Sequence, residues 1–309
     1  MTDETPLRRS PSTRGGRRSF LAVLLVLLVV LAVMALLISG PFFLAGGGRD
    51  RQRGGGVGVV EIEGIILSPD SAVKQLVRFQ NDDQIRAILL RIDSPGGGVA
   101  ATQEIYQEVM RARLRKKVVA SLGSIAASGG LYVASAATRV VADPGTLTGS
   151  ISVVMHLANY EALFHKIGVK SITIKSGEFK DIGSPWRDMT GREREILQKL
   201  VEDMHKQFVQ AVVQGRGLPV ERVAALADGR VFTGREAVGL GLVDELGNFE
   251  DAVALAGRLA GLKGRPNLIY PRKARFSLWD LLLDRSQARQ ISDWFAHPMR
   301  IQYLYAPGL

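Results

Sequence analysis

Short apolar runs that end in glycine-rich turns, each followed by a segment of helical period, constrain this chain more than any other feature. Ala87-Ile88-Leu89-Leu90-Arg91-Ile92 runs into Asp93-Ser94-Pro95-Gly96-Gly97-Gly98, and a helical pattern follows over 102–114. Val118-Val119-Ala120-Ser121-Leu122 runs into Gly123, and Ser128 opens the next helical segment. A run of this length that is apolar at successive positions fits a strand covered on both faces, because side chains alternate between the faces. Further strands are expected at 57–62, 140–142 and 171–174. Helices are expected at 71–79, 160–167, 193–214, 220–227, 235–238 and 249–259. Strands alternating with helices indicate an α/β fold with mostly parallel strands.

The N-terminus is of a different kind. Phe20 to Ile38 is an unbroken apolar stretch with no polar face. As a helix it is roughly 28 Å long, near the hydrocarbon thickness of a bilayer. We expect residues 1–19 to be a basic cytoplasmic tail, 20–39 a transmembrane anchor and 40–56 a Gly/Arg linker. The folded domain is expected over 57–263, with a separate tail over 264–309. A cleaved signal peptide competes with the anchor, since Ala45-Gly46-Gly47 offers small residues for cutting. Arg8, Arg9, Arg14, Arg17 and Arg18 precede the run, and Arg49, Arg51 and Arg53 follow it. The bias favours a cytoplasmic N-terminus, with the rest of the chain outside the cytoplasmic (inner) membrane.

The net charge of +10 raises a nucleic-acid reading. Its arginines are scattered, several flank the apolar run, and aromatic and basic residues do not interleave as base-stacking surfaces require. A solvated basic surface near anionic headgroups accounts for the charge. With no cysteine in the chain, disulfides, thiol catalysis and a lipidated-cysteine anchor drop out. No His-Glu-x-x-His or similar spacing marks a metal site. No cofactor is expected.

Three segments carry chemistry. Ala126-Ala127-Ser128-Gly129-Gly130 sets a serine between small residues at the start of a helix, where backbone N–H groups favour a developing negative charge. It is not a Gly-x-Ser-x-Gly elbow. Gly96-Gly97-Gly98 can be a tight turn or an oxyanion cradle. It is not a P-loop, because no Gly-Lys-Ser/Thr follows. For a base, His156 can pair with Ser128 in principle. Lys180, in the turn-rich stretch from Ser176 to Pro185, can serve instead if burial keeps it neutral.

Taken in order, these segments resemble the signal peptide peptidase A family, peptidase family S49, in its short bacterial form. The resemblance covers roughly residues 57–260. It rests on Asp93 to Gly98, Gly123 to Gly130, Thr146-Leu147-Thr148-Gly149-Ser150 and Ile174 to Asp181. It continues through Ser184-Pro185, Arg187-Asp188-Met189-Thr190, Gly215-Arg216-Gly217, Asp228-Gly229-Arg230-Val231 and Gly239 to Asp244. The resemblance implies a Clp protease/crotonase-like fold and a Ser-Lys dyad. Ser128 is then the nucleophile and Lys180 the general base. Ser150 supports the dyad, and Gly97 and Gly129 supply oxyanion N–H groups, with Gly96 an alternative to Gly97. It also implies homo-oligomeric rings, of octamer size, in which serine and lysine come from adjacent subunits. The implied activity is endopeptidase cleavage of remnant signal peptides and other hydrophobic segments at the membrane, with small or apolar residues at the cut.

Three rivals differ from this reading. A crotonase-type acyl-CoA enzyme conflicts with an extracytoplasmic domain. A non-catalytic ring scaffold conflicts with the intact Ser128 and Lys180. A membrane-protein quality-control protease of the same family shares the chemistry. The tail can dock on its own domain, a neighbouring subunit or the membrane. Ile301 to Pro307 is extended, apolar and terminal, which suits the substrate groove of its own ring. Deleting 299–309 is then expected to raise peptidase activity, measured on a fluorogenic peptide.

Overall fold

In the computed structural model of the chain, residues 25–31, 33–34, 55–271 and 301–305 are described. The chain divides into two units, Met1–Arg53 and Gly54–Leu309. In the first, residues 25–31 and 33–34 are helical and their apolar side chains are exposed. Among the described residues no helix is long and apolar enough to cross a membrane. Most of the expected anchor, the expected basic tail before it and the expected linker up to residue 54 lie outside the described residues, and the linker's last residue, Gly56, already opens a strand.

The second unit is built on three long parallel strands. They are β1 (Gly56–Ile66), β2 (Ile85–Gly98) and β3 (Lys117–Ala127). β1 and β3 flank β2, and β4 (Arg139–Ala142) continues the parallel ladder beyond β3. Alternation explains why these runs are apolar throughout. Val60, Ile62, Ile88, Leu90 and Ile92 face one way, into the larger core. Val57, Val59, Ala87, Leu89, Val119 and Val141 face the other way. Helices α1 (Asp70–Asn81), α2 (Val99–Arg115) and α3 (Gly129–Ser135) cover the first face. A short helix, α4 (Glu161–Lys166), follows in sequence with no buried residue. Helix α5 (Gly191–Arg216) closes the first face through Phe208 and Val212. Beyond it lie α6 (Val220–Ala224) and α7 (Gly234–Leu240). α8 (Phe249–Leu259) covers the second face through Ala252, Val253 and Ala256. Both faces being closed is what an all-parallel core requires.

The ends of the strands are finished by short pieces. β5 (Leu147–Gly149) runs parallel to the last residues of β3, and β7 (Val231–Thr233) runs antiparallel to β5. β8 (Glu245–Leu246) adds to β4, and β9 (Asn267–Ile269) adds to β1. β6 (Val154–Met155) pairs with β10 (Ile301–Leu304), which also pairs antiparallel with β2. The tail therefore joins the sheet of its own domain.

The expected strand at 171–174 does not form. The segment joins no ladder, and Ile172 and Ile174 are 86% and 96% exposed. β-Branched residues favour strands only where a partner edge and a face to pack on exist, and here neither does. The helix expected over 220–227 stops at Ala224.

Phe79 of α1 is fully buried, and its ring occupies the space over Gly58 of β1 where a side chain would stand. Phe79→Ala is expected to cost about 3–5 kcal/mol. Urea unfolding should show a lower midpoint at unchanged slope.

Candidate active site

Strands β2 and β3 remain paired as far as Ser94 and Ala126, with an irregularity after Ile92. There Asp93 accepts a hydrogen bond from the Ile125 N–H, which keeps the two strands together at the bulge. Beyond this point they part. β2 continues along β1 through Gly96 and Gly97. β3 turns at Ser128 into α3.

The continuing strand is held by a buried hydroxyl. Ser94 donates to the Gly64 carbonyl at 2.6 Å and accepts from the Gly96 N–H at 3.1 Å. Gly96 has φ +107°, and a Cβ there would overlap the Tyr303 carbonyl oxygen and stand 2.7 Å from the Gly129 nitrogen. A Cβ on Gly97 would overlap the Ile66 carbonyl oxygen. Close backbone approach thus requires glycine at both positions, and at Gly96 the positive φ requires it as well. Gly129 lies across from both. A Cβ built on it stands 3.0 Å from Gly96 Cα and 3.2 Å from Gly97 N. Its N–H is among the first of a helix, which have no acceptor within the helix.

Ser128 has φ +53° and ψ −116°, a conformation rare for any residue but glycine. Such a backbone costs of order 1–3 kcal/mol and persists only where its surroundings enforce it. Here the Ser128 N–H donates to the Gly149 carbonyl of β5 at 2.8 Å. Thr148 and Thr146 donate their hydroxyls to the carbonyls of Ala126 and Gly123, locking β5 to β3. The Ser128 side chain is 1% exposed, and its Oγ has no hydrogen-bond partner. Ser150 follows Gly149, also has φ +53°, and is pinned by its N–H to the Arg230 carbonyl at 2.7 Å. Ser128, Ser150, Gly96, Gly97 and Gly129 are therefore gathered at one place.

Lys180 is not gathered with them. It is exposed, and the unpartnered Ser128 Oγ excludes a hydrogen bond between the two within one chain. His156 is likewise exposed and is not bonded to Ser128. Among the described residues no three His, Asp or Glu side chains cluster as a metal would need.

Comparison with known proteins places this arrangement. Residues 111–263 match the model of peptidase family S49, and residues 67–145 match that of Clp protease. A Synechocystis protein, named only provisionally as a protease, is 47% identical over 204 residues, which are 66% of this chain and 74% of that protein. The chain belongs to peptidase family S49. The α/β sheet carries a Clp-protease-like domain, as expected. The chloroplast serine protease SPPA of Arabidopsis thaliana is 34% identical over 76% of this chain and 36% of its own length. Protease 4 of Salmonella typhi is 36% identical over 68% of this chain and 35% of its own. The chain thus spans about a third of the length of these two relatives.

Two further parts of this S49 chain went unassigned in the sequence. The first is aromatic. Tyr132, one turn beyond Ser128 on α3, packs edge-on against Tyr106, with Phe208 of α5 at 4.9 Å. Burial pushes the Tyr132 hydroxyl up to about 12. Aromatic residues scattered over three helices carry no local pattern, so only folding reveals the cluster.

The second holds the Lys180 segment. Asp181 accepts from both Lys175 and Arg187. Arg187 also bonds Glu193, which caps α5 together with Thr190. Asp181 is held well below the usual carboxylate range by Arg187 and Lys175. Glu193 is drawn down to about 2 by Arg187 and then by the Thr190 N–H. The even spacing of Asp181, Arg187 and Glu193 was the available signal, although residues 181–190 form neither the helix nor the strand that would give such a spacing meaning.

Arg187→Gln is expected to loosen this segment, read as faster hydrogen exchange over 175–190 at pH 7. Wild type should show the same loosening in acid. Both carboxylates titrate lower folded than unfolded, so their contribution is complete above about pH 4.5 and is lost as pH falls toward 2.

Proposed function

We propose that this chain is a serine endopeptidase with a Ser128–Lys180 dyad, anchored in the inner membrane by residues 20–39, with its domain on the extracytoplasmic side. Its substrates are remnant signal peptides and other hydrophobic segments released at that membrane. The observation that carries the reading is the Ser128 side chain. It is a buried, unpartnered hydroxyl on a strained backbone, and its neighbour in sequence, Gly129, lies against the Gly96-Gly97 turn. An unpaired buried hydroxyl costs stability, and strain of this kind concentrates at reactive sites.

The chemistry is acyl transfer. Lys180, neutral at the working pH, takes the Ser128 proton as Oγ attacks the peptide carbonyl carbon. The oxyanion is received by the N–H groups of Gly97 and Gly129, since the Gly96 N–H is donated to Ser94. The leaving amine takes the proton, and water, deprotonated by the same lysine, releases the acyl group. Ser150, beside Ser128, orients the lysine. Because the Ser128 Oγ has no hydrogen-bond partner among the described residues and Lys180 is exposed, the lysine is supplied by an adjacent copy in a ring.

Ser128→Ala and Lys180→Ala are each expected to lower kcat/KM on a fluorogenic peptide by about 10²-fold or more. The wild-type rate should rise with pH as the lysine deprotonates. Mixing the two variants should restore part of the activity if the dyad spans subunits. Full activity in Lys180→Ala would remove the lysine as base. Activity that stays absent on mixing, in rings shown to contain both variants, would place both groups within one subunit.

A further inference from the structure

We infer that Thr102 is a positioning residue for the reaction: its hydroxyl oxygen seats Gly129 against the glycine turn, so that the Gly129 and Gly97 N–H groups meet the oxyanion together. The inference rests on the proposed roles of Ser128 and of those two N–H groups.

Thr102 stands where the inward stripe of α2 calls for an apolar side chain. Its companions there, Val99, Ile105, Tyr106 and Val109, are all buried. Thr102 is fully buried with them, yet its Oγ1 has no hydrogen-bond partner. An unpaired buried hydroxyl costs stability. A threonine inside a helix commonly relieves that cost by donating to the carbonyl one turn back. Here that carbonyl belongs to Gly98, and the bond is not made. Among the described residues, the buried hydroxyls left without a partner are those of Thr102 and Ser128. Both adjoin Gly129.

On the side of Gly129 where a Cβ would stand, three groups close in. Thr102 Oγ1 is 2.9 Å from that point, Gly96 Cα 3.0 Å and Gly97 N 3.2 Å. The hydroxyl is the nearest of them. Gly129 is thus seated between the first turns of α2 and the glycine turn that leads into it.

Both helices are anchored elsewhere, so this contact sets a position rather than follows one. Tyr106, one turn beyond Thr102, packs edge-on against Tyr132 at 5.0 Å and donates its hydroxyl to the Ala211 carbonyl at 3.0 Å. Tyr132 is also stacked on Tyr303 at 5.1 Å. The Tyr132 N–H donates to the Ser128 carbonyl at 2.8 Å. That bond holds one side of the Ser128–Gly129 peptide, whose N–H is the proposed oxyanion donor.

An oxygen suits the contact by size and polarity. A Cα–H closes on an oxygen to about 3.3–3.6 Å with weak attraction. Two carbons settle at about 3.5–4.0 Å. A methyl group in place of the hydroxyl therefore pushes Gly129 back by roughly a few tenths of an ångström. The two N–H groups then no longer converge on one point. Misplacement by about 1 Å costs on the order of 10²-fold in rate, so a loss of about tenfold is expected here.

The test sets activity against stability in full-length protein in detergent. Thr102→Val puts a methyl where the hydroxyl was, and Thr102→Ser keeps the hydroxyl and drops the methyl. Thr102→Val should melt no lower than wild type, because the unpaired hydroxyl is gone. Its kcat on a fluorogenic peptide should fall about tenfold at unchanged KM. Thr102→Ser should melt lower, having lost a buried methyl, and should keep kcat within about twofold of wild type. A peptide aldehyde of the reporter's sequence forms a tetrahedral adduct on Ser128. It should bind Thr102→Val about tenfold more weakly, and Thr102→Ser as it binds wild type. A packing role alone would move melting temperature and kcat in the same order across the two variants. Ser128-dependent hydrolysis at wild-type kcat in Thr102→Val, or equal losses in the two variants, would overturn the inference and leave the protease reading standing. So would a Thr102→Val that loses melting temperature and kcat together. No Ser128-dependent hydrolysis in wild type would overturn both.

Discussion

The ladder between β2 and β3 holds from Ala87 and Lys117 to Ser94 and Ala126, and the site is a consequence of how it ends. Two parallel strands buried on both faces cannot be displaced without opening two cores. Their carboxyl ends are therefore fixed in space, and whatever leaves them starts from a rigid frame. β2 continues and exposes backbone N–H and C=O groups on one edge. β3 turns away at Ser128 and leaves that edge to β10. The nucleophile, the glycine turn and the groove are three aspects of one divergence.

The frame also explains how strain can be maintained at two serines. Ser128 and Ser150 both adopt positive φ. Each is clamped by a backbone hydrogen bond, Ser128 to Gly149 and Ser150 to Arg230, and Thr146 and Thr148 tie β5 to β3. The cost at each serine is small beside the burial that fixes the strands. The structure tolerates a conformation that an isolated chain would abandon.

The other half of the proposed dyad has a different physical character. The Lys180 segment is exposed and held by charge rather than by packing, through Asp181, Arg187 and Glu193. Asp181 and Glu193 are largely buried, but the segment puts no side chain into either core and so is less constrained than the ladder. A rigid nucleophile and a less constrained base fit the proposal that an adjacent copy supplies the lysine.

The residues alone determined much of this. Continuous apolar runs required strands closed on both faces. The glycines after β2 and the small residues around Ser128 marked where backbone and side chain must come close, since only those residue types permit it. Sequence patterning failed where the deciding partner is distant. Ser171–Ile174 has strand composition but meets no edge. Val154–Met155 and Ile301–Leu304 are too short to declare themselves; the second becomes a strand because β2 offers it an edge, and the first because the second then offers its own. The same holds for Tyr106, Tyr132, Phe208 and Tyr303, which are spread over nearly two hundred residues and share no period. Local sequence reports what a segment prefers by itself. Which segments meet, and therefore which residue lies beside Ser128, is settled by long-range packing and pairing that no short window contains.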